Sequence, residues 1–120
     1  MTRSLLIKVT AGAEDAERCN QAFTVAAAAA ASGVEVGLWL TGEASWFGLP
    51  GRAEGFSVPL ATPLADLRDT ILAAGRITVC TQCADRRGIT AEQLLPGVRI
   101  AGAAVFVEEA LGDGVQAIVY

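Results

Sequence analysis

The chain has 120 residues, of which 52% are hydrophobic and 18% are charged. A chain of this length is expected to form a single domain, residues 1–120, that folds without a disulfide or a bound metal. Its formal net charge of −4 argues against direct binding of nucleic acid, because such sites concentrate lysine and arginine. The absence of histidine excludes every mechanism that needs an imidazole from this subunit.

The start of the chain and its cysteines favour a cytoplasmic protein. The N-terminus leads directly into a strand-like segment, without the ordered regions of a secretory signal. The longest apolar run, Val25–Ala31, is mostly alanine and far shorter than the roughly 20 residues that a membrane span needs. Three cysteines, an odd number, fit a reducing compartment better than a disulfide scaffold. We therefore expect a cytoplasmic protein that makes no membrane contact.

The predicted elements alternate between strands and helices along the chain. The predicted strands are residues 4–9, 34–40, 76–79, 98–101 and 115–120, and the predicted helices are residues 13–32, 64–74, 84–87 and 103–111, with a capped segment at 90–95. Strands separated by helices imply right-handed crossovers and a parallel sheet covered on both faces. The sequence thus predicts the α/β class, as a three-layer α/β/α domain with a mainly parallel, five-stranded sheet.

Two segments predict subunit interfaces. Residues 41–63 form a long loop rich in glycine and proline that carries Trp46, Phe47 and Phe56, and loops of this length are usually functional or part of an interface. The alanine run of the first helix is thin enough to pack closely on the sheet or on another subunit. With so few charged residues, a monomer is expected to expose a large apolar patch, which favours a closed homo-oligomer.

The strongest candidate site is Cys80, which stands where an apolar strand gives way to a helix. Ligands of open α/β sheets bind outside the carboxyl ends of the strands. At a helix N-terminus, with Arg86 and Arg87 nearby, the thiolate is favoured over the thiol. The alternative is that Cys80 is a small buried hydrophobe, as free cysteines often are.

Other polar residues complete the candidate set. Cys83 forms a CxxC pair with Cys80, which is the arrangement of thiol–disulfide exchange sites. The same pair has zinc-like spacing, but the chain offers only Cys19 besides, and we expect no metal site. Cys19 is interpreted as structural. Glu43 follows the second strand at the same sheet edge as Cys80, and it either lines the substrate pocket or is simply solvated.

This arrangement resembles the DsrE/DsrF-like family of small sulfur-relay proteins over nearly the whole chain. The most specific part of the resemblance is Cys80 after an apolar strand, with Arg86-Arg87-Gly88-Ile89 six to nine positions later. Gln21-Ala22-Phe23 in the first helix and Gly33-Val34-Glu35-Val36 also fit the family pattern. Cys83 departs from it, because that position is usually small and unreactive.

The resemblance implies a three-layer fold and a persulfide carrier that needs no cofactor. Cys80 is then the catalytic thiol, with Arg86, Arg87 and Glu43 as substrate-binding residues. The implied partners are a sulfur donor protein, a sulfur acceptor protein and further copies of the chain in a homotrimer or homohexamer. Two alternatives stay open: a dithiol redox protein that uses Cys80 and Cys83, and a non-catalytic oligomeric binding protein of the same fold.

Overall fold

The computed structural model describes residues 3–120 and contains a five-stranded sheet in which every neighbouring pair is parallel. The strands are β1 (Ser4–Val9), β2 (Glu35–Leu40), β3 (Arg76–Cys80), β4 (Val98–Ala101) and β5 (Val115–Val119). The α-helices are α1 (Ala16–Ala31), α2 (Leu64–Ala74), α3 (Thr81–Arg86) and α4 (Ala103–Ala110). The strand order is β4-β3-β2-β1-β5. The predicted α/β class and parallel sheet are therefore confirmed.

The strand order explains why helices cover both faces. From β1 to β4, each strand lies beside the preceding one on the same side in the sheet. Right-handed crossovers therefore place the intervening helices on one face. The return from β4 to β5 runs the other way and places α4 on the opposite face. Accordingly α1 packs on α2, whereas Phe106 of α4 meets the Trp39 ring of β2 edge-on at 5.3 Å between centroids.

The face that carries α1 and α2 holds the main hydrophobic core. Alternate residues of the central strands point into it, among them Ile7, Leu38 and Ile77, all fully buried. Ala22 and Ala26 form a buried stripe one helical turn apart on α1. Their small side chains let α1 lie close to the sheet. Of the two uses predicted for the alanine run, the structure shows packing within the subunit.

The long connection between β2 and α2 is ordered by two short 3-10 helices, Gly42–Gly48 and Ala53–Gly55. Phe47 is 5% exposed and meets the Phe56 ring edge-on at 5.3 Å, so it belongs to the core. A Cβ on Gly48 would lie 2.8 Å from the Val79 side chain. Glycine at this position lets the connection run directly over β3.

The opposite face is covered by α4, which adds a network of polar contacts to the Phe106–Trp39 ring contact. No residue of α4 is fully buried, but its Glu109 carboxylate accepts a hydrogen bond from Trp39 Nε1 at 3.0 Å. Arg99 of β4 also hydrogen-bonds to Glu109, and Arg99 Nε donates to Thr78 Oγ1 at 2.7 Å. Arg76 approaches the same carboxylate at 3.6 Å. Within residues 3–120, none of the helices has the length and apolar character needed to cross a membrane.

Candidate functional site

Cys80 ends β3 and immediately precedes α3. Its backbone is still extended, with φ −66° and ψ 132°, and it is the N-cap residue of the helix. It pairs with Ala101 of β4 and is half-buried, whereas Cys83 and Cys19 are buried. The structure thus places Cys80 at the carboxyl edge of the sheet, as the most accessible of the three thiols.

The helix after Cys80 begins at Thr81, three residues earlier than the predicted start at Ala84. Residues 81–86 contain neither glycine nor proline, so nothing interrupts the helix directly after the strand. Cys83 consequently lies within the first turn of α3. This corrects the predicted element and places the two cysteines of the CxxC pair one helical turn apart.

Cys83 is buried against the loop that follows β2. Its Sγ accepts a hydrogen bond from the Gly42 backbone N–H at 3.2 Å. Gly42 has φ +56°, and a Cβ there would lie 2.8 Å from the Thr10 carbonyl oxygen. Glycine is required because the backbone is left-handed and because the loops after β1 and β2 approach each other closely. The resulting N–H⋯S contact fixes the position of the second thiol.

Arg87 joins Glu43 to α3. Its Nε donates to Glu43 Oε2 at 2.8 Å, and a terminal guanidinium nitrogen donates to the Cys83 carbonyl oxygen at 3.0 Å. The hydrogen bond from Arg87 holds the pKa of the Glu43 carboxyl below its usual range, and a further hydrogen bond from Trp46 Nε1 acts in the same direction. The structure therefore brings together Cys83, Glu43 and Arg87, three of the residues proposed from the sequence.

Arg86 is separated from this cluster. It is exposed at the last residue of α3, whereas Cys80 precedes the first residue of that helix. Among residues 3–120, the hydrogen bonds of Arg87 reach Glu43 and a carbonyl oxygen and not a thiol. The substrate-binding roles of Arg86, Arg87 and Glu43 stay predictions.

The Arg-Arg-Gly-Ile segment also has a structural role as the end of α3. The Gly88 N–H donates to the Asp85 carbonyl, and the Ile89 N–H donates to the Ala84 carbonyl at 2.9 Å. These are the two hydrogen bonds of a Schellman motif, which needs a left-handed residue, and Gly88 has φ +66°. Ile89 is 4% exposed and anchors the turn in the core.

Cys19 lies in α1 and is fully buried. Burial raises the pKa of its thiol to about 12, and the nearby Glu14 carboxylate adds to this effect. The thiolate is therefore scarce at neutral pH. This agrees with the interpretation of Cys19 as a structural residue.

Sequence reasoning missed the role of Gly12 at this edge of the sheet and the hydrogen bond that Trp46 makes there. A Cβ on Gly12 would lie 2.6 Å from the Glu43 backbone, so glycine lets the turn after β1 pack on the residue that binds Arg87. A glycine three residues after the end of a strand was a signal available for it. Trp46 hydrogen-bonds to Glu43, and no sequence pattern indicated that contact. Within residues 3–120, no group of three or more potential metal ligands is clustered.

The fold is shared with solved structures of low sequence identity. The chain is similar to the ychN protein from E. coli, with a TM-score of 0.81 and 18% identity over 99% of this chain and 100% of that chain. It is also similar to a protein of unknown function, MTH1491, from Methanobacterium thermoautotrophicum. There the TM-score is 0.70 and the identity is 12%, over 98% of this chain and 99% of that chain.

The sequence itself identifies the family. No curated protein matches the chain. The model of the DsrE/DsrF-like family, however, matches residues 3–119. Taken with the parallel sheet and with Cys80 at its carboxyl edge, this match shows that the chain belongs to the DsrE/DsrF-like family, which is generally related to sulfur relay.

Proposed function

We propose that this protein carries sulfane sulfur as a persulfide on Cys80, in a cytoplasmic relay between a donor and an acceptor protein. One observation carries the proposal: a DsrE/DsrF-like chain presents its most accessible thiol at the carboxyl end of β3. Ligands of parallel sheets bind at this edge.

The proposed transfer needs neither an oxidant nor a general base once the thiolate has formed. The Cys80 thiolate attacks the terminal sulfur of a donor persulfide, a new S–S bond forms, and the donor thiol leaves as a thiolate. In the second step an acceptor thiolate attacks the terminal sulfur on Cys80, and Cys80 leaves as the thiolate. Each step is a thiol exchange, in which nucleophile and leaving group are both thiolates. A chain without histidine is therefore suited to this reaction.

The backbone around Cys80 also supports the proposal. The first N–H groups of an α-helix lack partners within the helix, and an N-cap side chain normally accepts hydrogen bonds from them. Cys80 occupies the N-cap position of α3. The Cys80 side chain itself makes no capping hydrogen bond, and we expect the additional, negatively charged sulfur of a persulfide to be favoured near the positive end of the helix.

The mass of the cysteine-containing peptides tests the proposal. After incubation with a cysteine desulfurase and cysteine, we expect the peptide that contains Cys80 to gain the mass of one sulfur atom. Cys80→Ser should abolish this gain, and the matched variant Cys83→Ser should retain it. Addition to Cys83 alone in the wild type, or no addition to folded Cys83→Ser, would contradict the proposal.

The contact of Cys83 favours a second candidate, in which the carrier releases its sulfur through an internal disulfide. The Gly42 N–H at 3.2 Å holds the Cys83 sulfur one helical turn from Cys80. Attack of the Cys83 thiolate on the inner sulfur of the Cys80 persulfide would form a Cys80–Cys83 disulfide and release hydrosulfide. A dithiol reductant would then be needed to restore both thiols.

Sulfide release separates the two candidates. Persulfidated wild type should release sulfide together with the formation of an intramolecular disulfide, and persulfidated Cys83→Ser should retain its sulfur until an acceptor thiol is added. Equal sulfide release from both proteins would contradict the proposed role of Cys83 as the resolving thiol, without bearing on the proposed role of Cys80 as the carrier.

A further inference from the structure

The connection between β2 and α2 lines a cavity of about 430 Å³ that is open to solvent and that the proposed sulfur chemistry does not use. Its lining includes Trp46, Phe47, Phe56, Arg52 and Glu43 and none of the cysteines. We propose that this aromatic cavity binds a small aromatic anion with one negative charge, such as an aromatic carboxylate. Its volume lies in the range of roughly 300–1,000 Å³ that is usual for small-molecule sites.

The aromatic side chains give the cavity a fixed apolar surface. Phe47 is 5% exposed and is held edge-on by Phe23 at 6.2 Å and by Phe56 at 5.3 Å between ring centroids. Phe56 and Trp46 are half-buried, so part of each ring remains accessible. A ligand ring placed here buries apolar surface and adds edge-to-face contacts of the same kind.

Arg52 supplies the group that would recognise an anion. Its guanidinium carbon lies 4.3 Å from the centroid of the Trp46 ring, which places the cation over the aromatic face. Within the described residues 3–120, the ion pairs of the structure do not include Arg52. Stacking uses the flat face of a guanidinium and leaves its N–H edge free for a carboxylate.

The charges around the cavity favour an anion. Glu43 is the acidic residue in its lining, and its carboxylate is already bonded to Arg87 at 2.8 Å and to Trp46 at 3.3 Å. Glu54, two residues after Arg52, is bound by both terminal nitrogens of Arg68 at 3.1 and 3.0 Å. Glu43 and Glu54 are thus each bonded to an arginine other than Arg52. The charge of Arg52 also helps to lower the pKa of Glu43, but within residues 3–120 its guanidinium forms no ion pair, so its N–H groups can bind a ligand.

Nuclear magnetic resonance of the two tryptophan side chains tests the proposal with benzoate as the probe. The Trp46 indole N–H lies in the cavity lining, whereas the Trp39 indole N–H bonds to Glu109 on the opposite face of the sheet. Benzoate should shift the Trp46 signal to saturation with a Kd of about 1 mM, as expected for a ligand of this size, and should leave Trp39 unmoved. Trp46→Phe assigns the two signals.

Control ligands and protein variants test whether both the charge and the ring of benzoate are recognised. Benzyl alcohol and acetate should each bind at least about tenfold more weakly than benzoate, because one lacks the charge and the other lacks the ring. Arg52→Gln should weaken benzoate binding by a similar factor, whereas the matched variant Arg18→Gln on α1 should not. Gly55 borders the cavity, and a Cβ there would meet no atom within 4 Å, so Gly55→Ala should be tolerated, and the larger Gly55→Leu should narrow the cavity and weaken benzoate binding.

Three results would overturn the proposal: an unmoved Trp46 signal in the folded protein, equal binding of benzyl alcohol and benzoate, or unchanged benzoate affinity in Arg52→Gln. None of these results bears on the proposal that Cys80 forms a persulfide. The test therefore stands apart from the proposed function.

Discussion

The three cysteines are expected to differ in reactivity because they differ in burial. Cys80 is half-buried at a strand end, Cys83 is 9% exposed beneath a loop, and Cys19 is 0% exposed inside the core. Thiol reactions need both access and a thiolate. Burial removes access at two of the positions, and it raises the pKa of Cys19 to about 12.

We therefore expect limiting iodoacetamide to label Cys80 before Cys83, and Cys83 before Cys19. Peptide mass spectrometry at increasing times and pH values measures this order. Labelling of Cys19 should require unfolding. Early labelling of Cys83 or Cys19 in the native protein would show that the site is wrongly assigned.

The adjacent arginines offer a second test at the residue scale. Arg87→Gln should raise the pKa of Glu43 toward its usual range, because the largest cause of the lowered value is the hydrogen bond from Arg87. The exposed neighbour is the control, and Arg86→Gln should leave the Glu43 titration unchanged. Carbon-13 NMR of the glutamate carboxyls measures both. Equal effects of the two substitutions would contradict the pairing seen in the structure.

The sign of the pH dependence follows from the lowered pKa of Glu43. The Arg87–Glu43 contact contributes to the free energy of unfolding, and this contribution is fully present when the pH is above the usual glutamate pKa of about 4.3. It is lost as the pH falls through the lowered value in the folded protein. If the Arg87–Glu43 contact persisted at a pH well below the lowered pKa of Glu43, its loss would not depend on protonation of Glu43.

Among the elements, α4 is bonded to three strands through one carboxylate, that of Glu109. Burial by itself would raise the pKa of Glu109, but hydrogen bonds from Arg99 and Trp39 and the charges of Arg99 and Arg76 outweigh it and lower the pKa. The three partners of the Glu109 carboxylate come from three different strands, β2, β3 and β4. The contacts that the network makes across the sheet explain how a helix without a fully buried residue keeps its place.

Glu109→Gln should lower the free energy of unfolding by about 1–3 kcal/mol, because partly buried charged groups lose their partner. The exposed neighbour Glu108→Gln should change it by less than about 0.5 kcal/mol. Urea denaturation at pH 7 measures both. The difference should shrink as the pH falls through the lowered pKa of Glu109, where the wild-type carboxylate is itself protonated.

At the scale of the whole molecule, most of the large exposed apolar residues lie outside the two segments that the sequence indicated as subunit interfaces, the 41–63 loop and the alanine run. Phe47 and the alanine stripe are buried within the subunit. The large exposed apolar residues include Val107 and Leu111, one turn apart at α4, and Val119 on the same side of the sheet. If copies of the chain associate as predicted, this α4 surface is the region that burial would favour.

Light scattering at micromolar concentration should therefore show a trimer or hexamer. Combined Val107→Glu and Leu111→Glu should lower the mass toward that of the 12.3 kDa chain, because association would bury the new charges. Leu60→Glu, which alters an exposed leucine in the loop before α2, is the comparison and should leave the assembly intact. A monomeric wild type would remove the prediction of self-association.

The sequence by itself determined most of the elements and the position of the thiol, although it misplaced the start of α3. Alternating strands and helices with glycine stops predicted the α/β class and the parallel sheet, and helix 64–74 begins and ends where it was predicted. These properties depend on local periodicity and on residues that end helices, such as Gly75 and Gly88. The placement of Cys80 at a strand end follows from the same local pattern.

The tertiary structure decided which residues meet. The contacts of Gly42 with Cys83 and of Glu43 with Arg87 join positions 41 and 44 residues apart, and the Trp39–Glu109 contact spans 70. The order of the parallel strands brings the loops after β2 and β3 side by side at one sheet edge and returns α4 to the opposite face. Hydrophobic patterning of single segments carries no information about that order, so burial, ion pairs and the aromatic cavity emerged only when the strands were assembled.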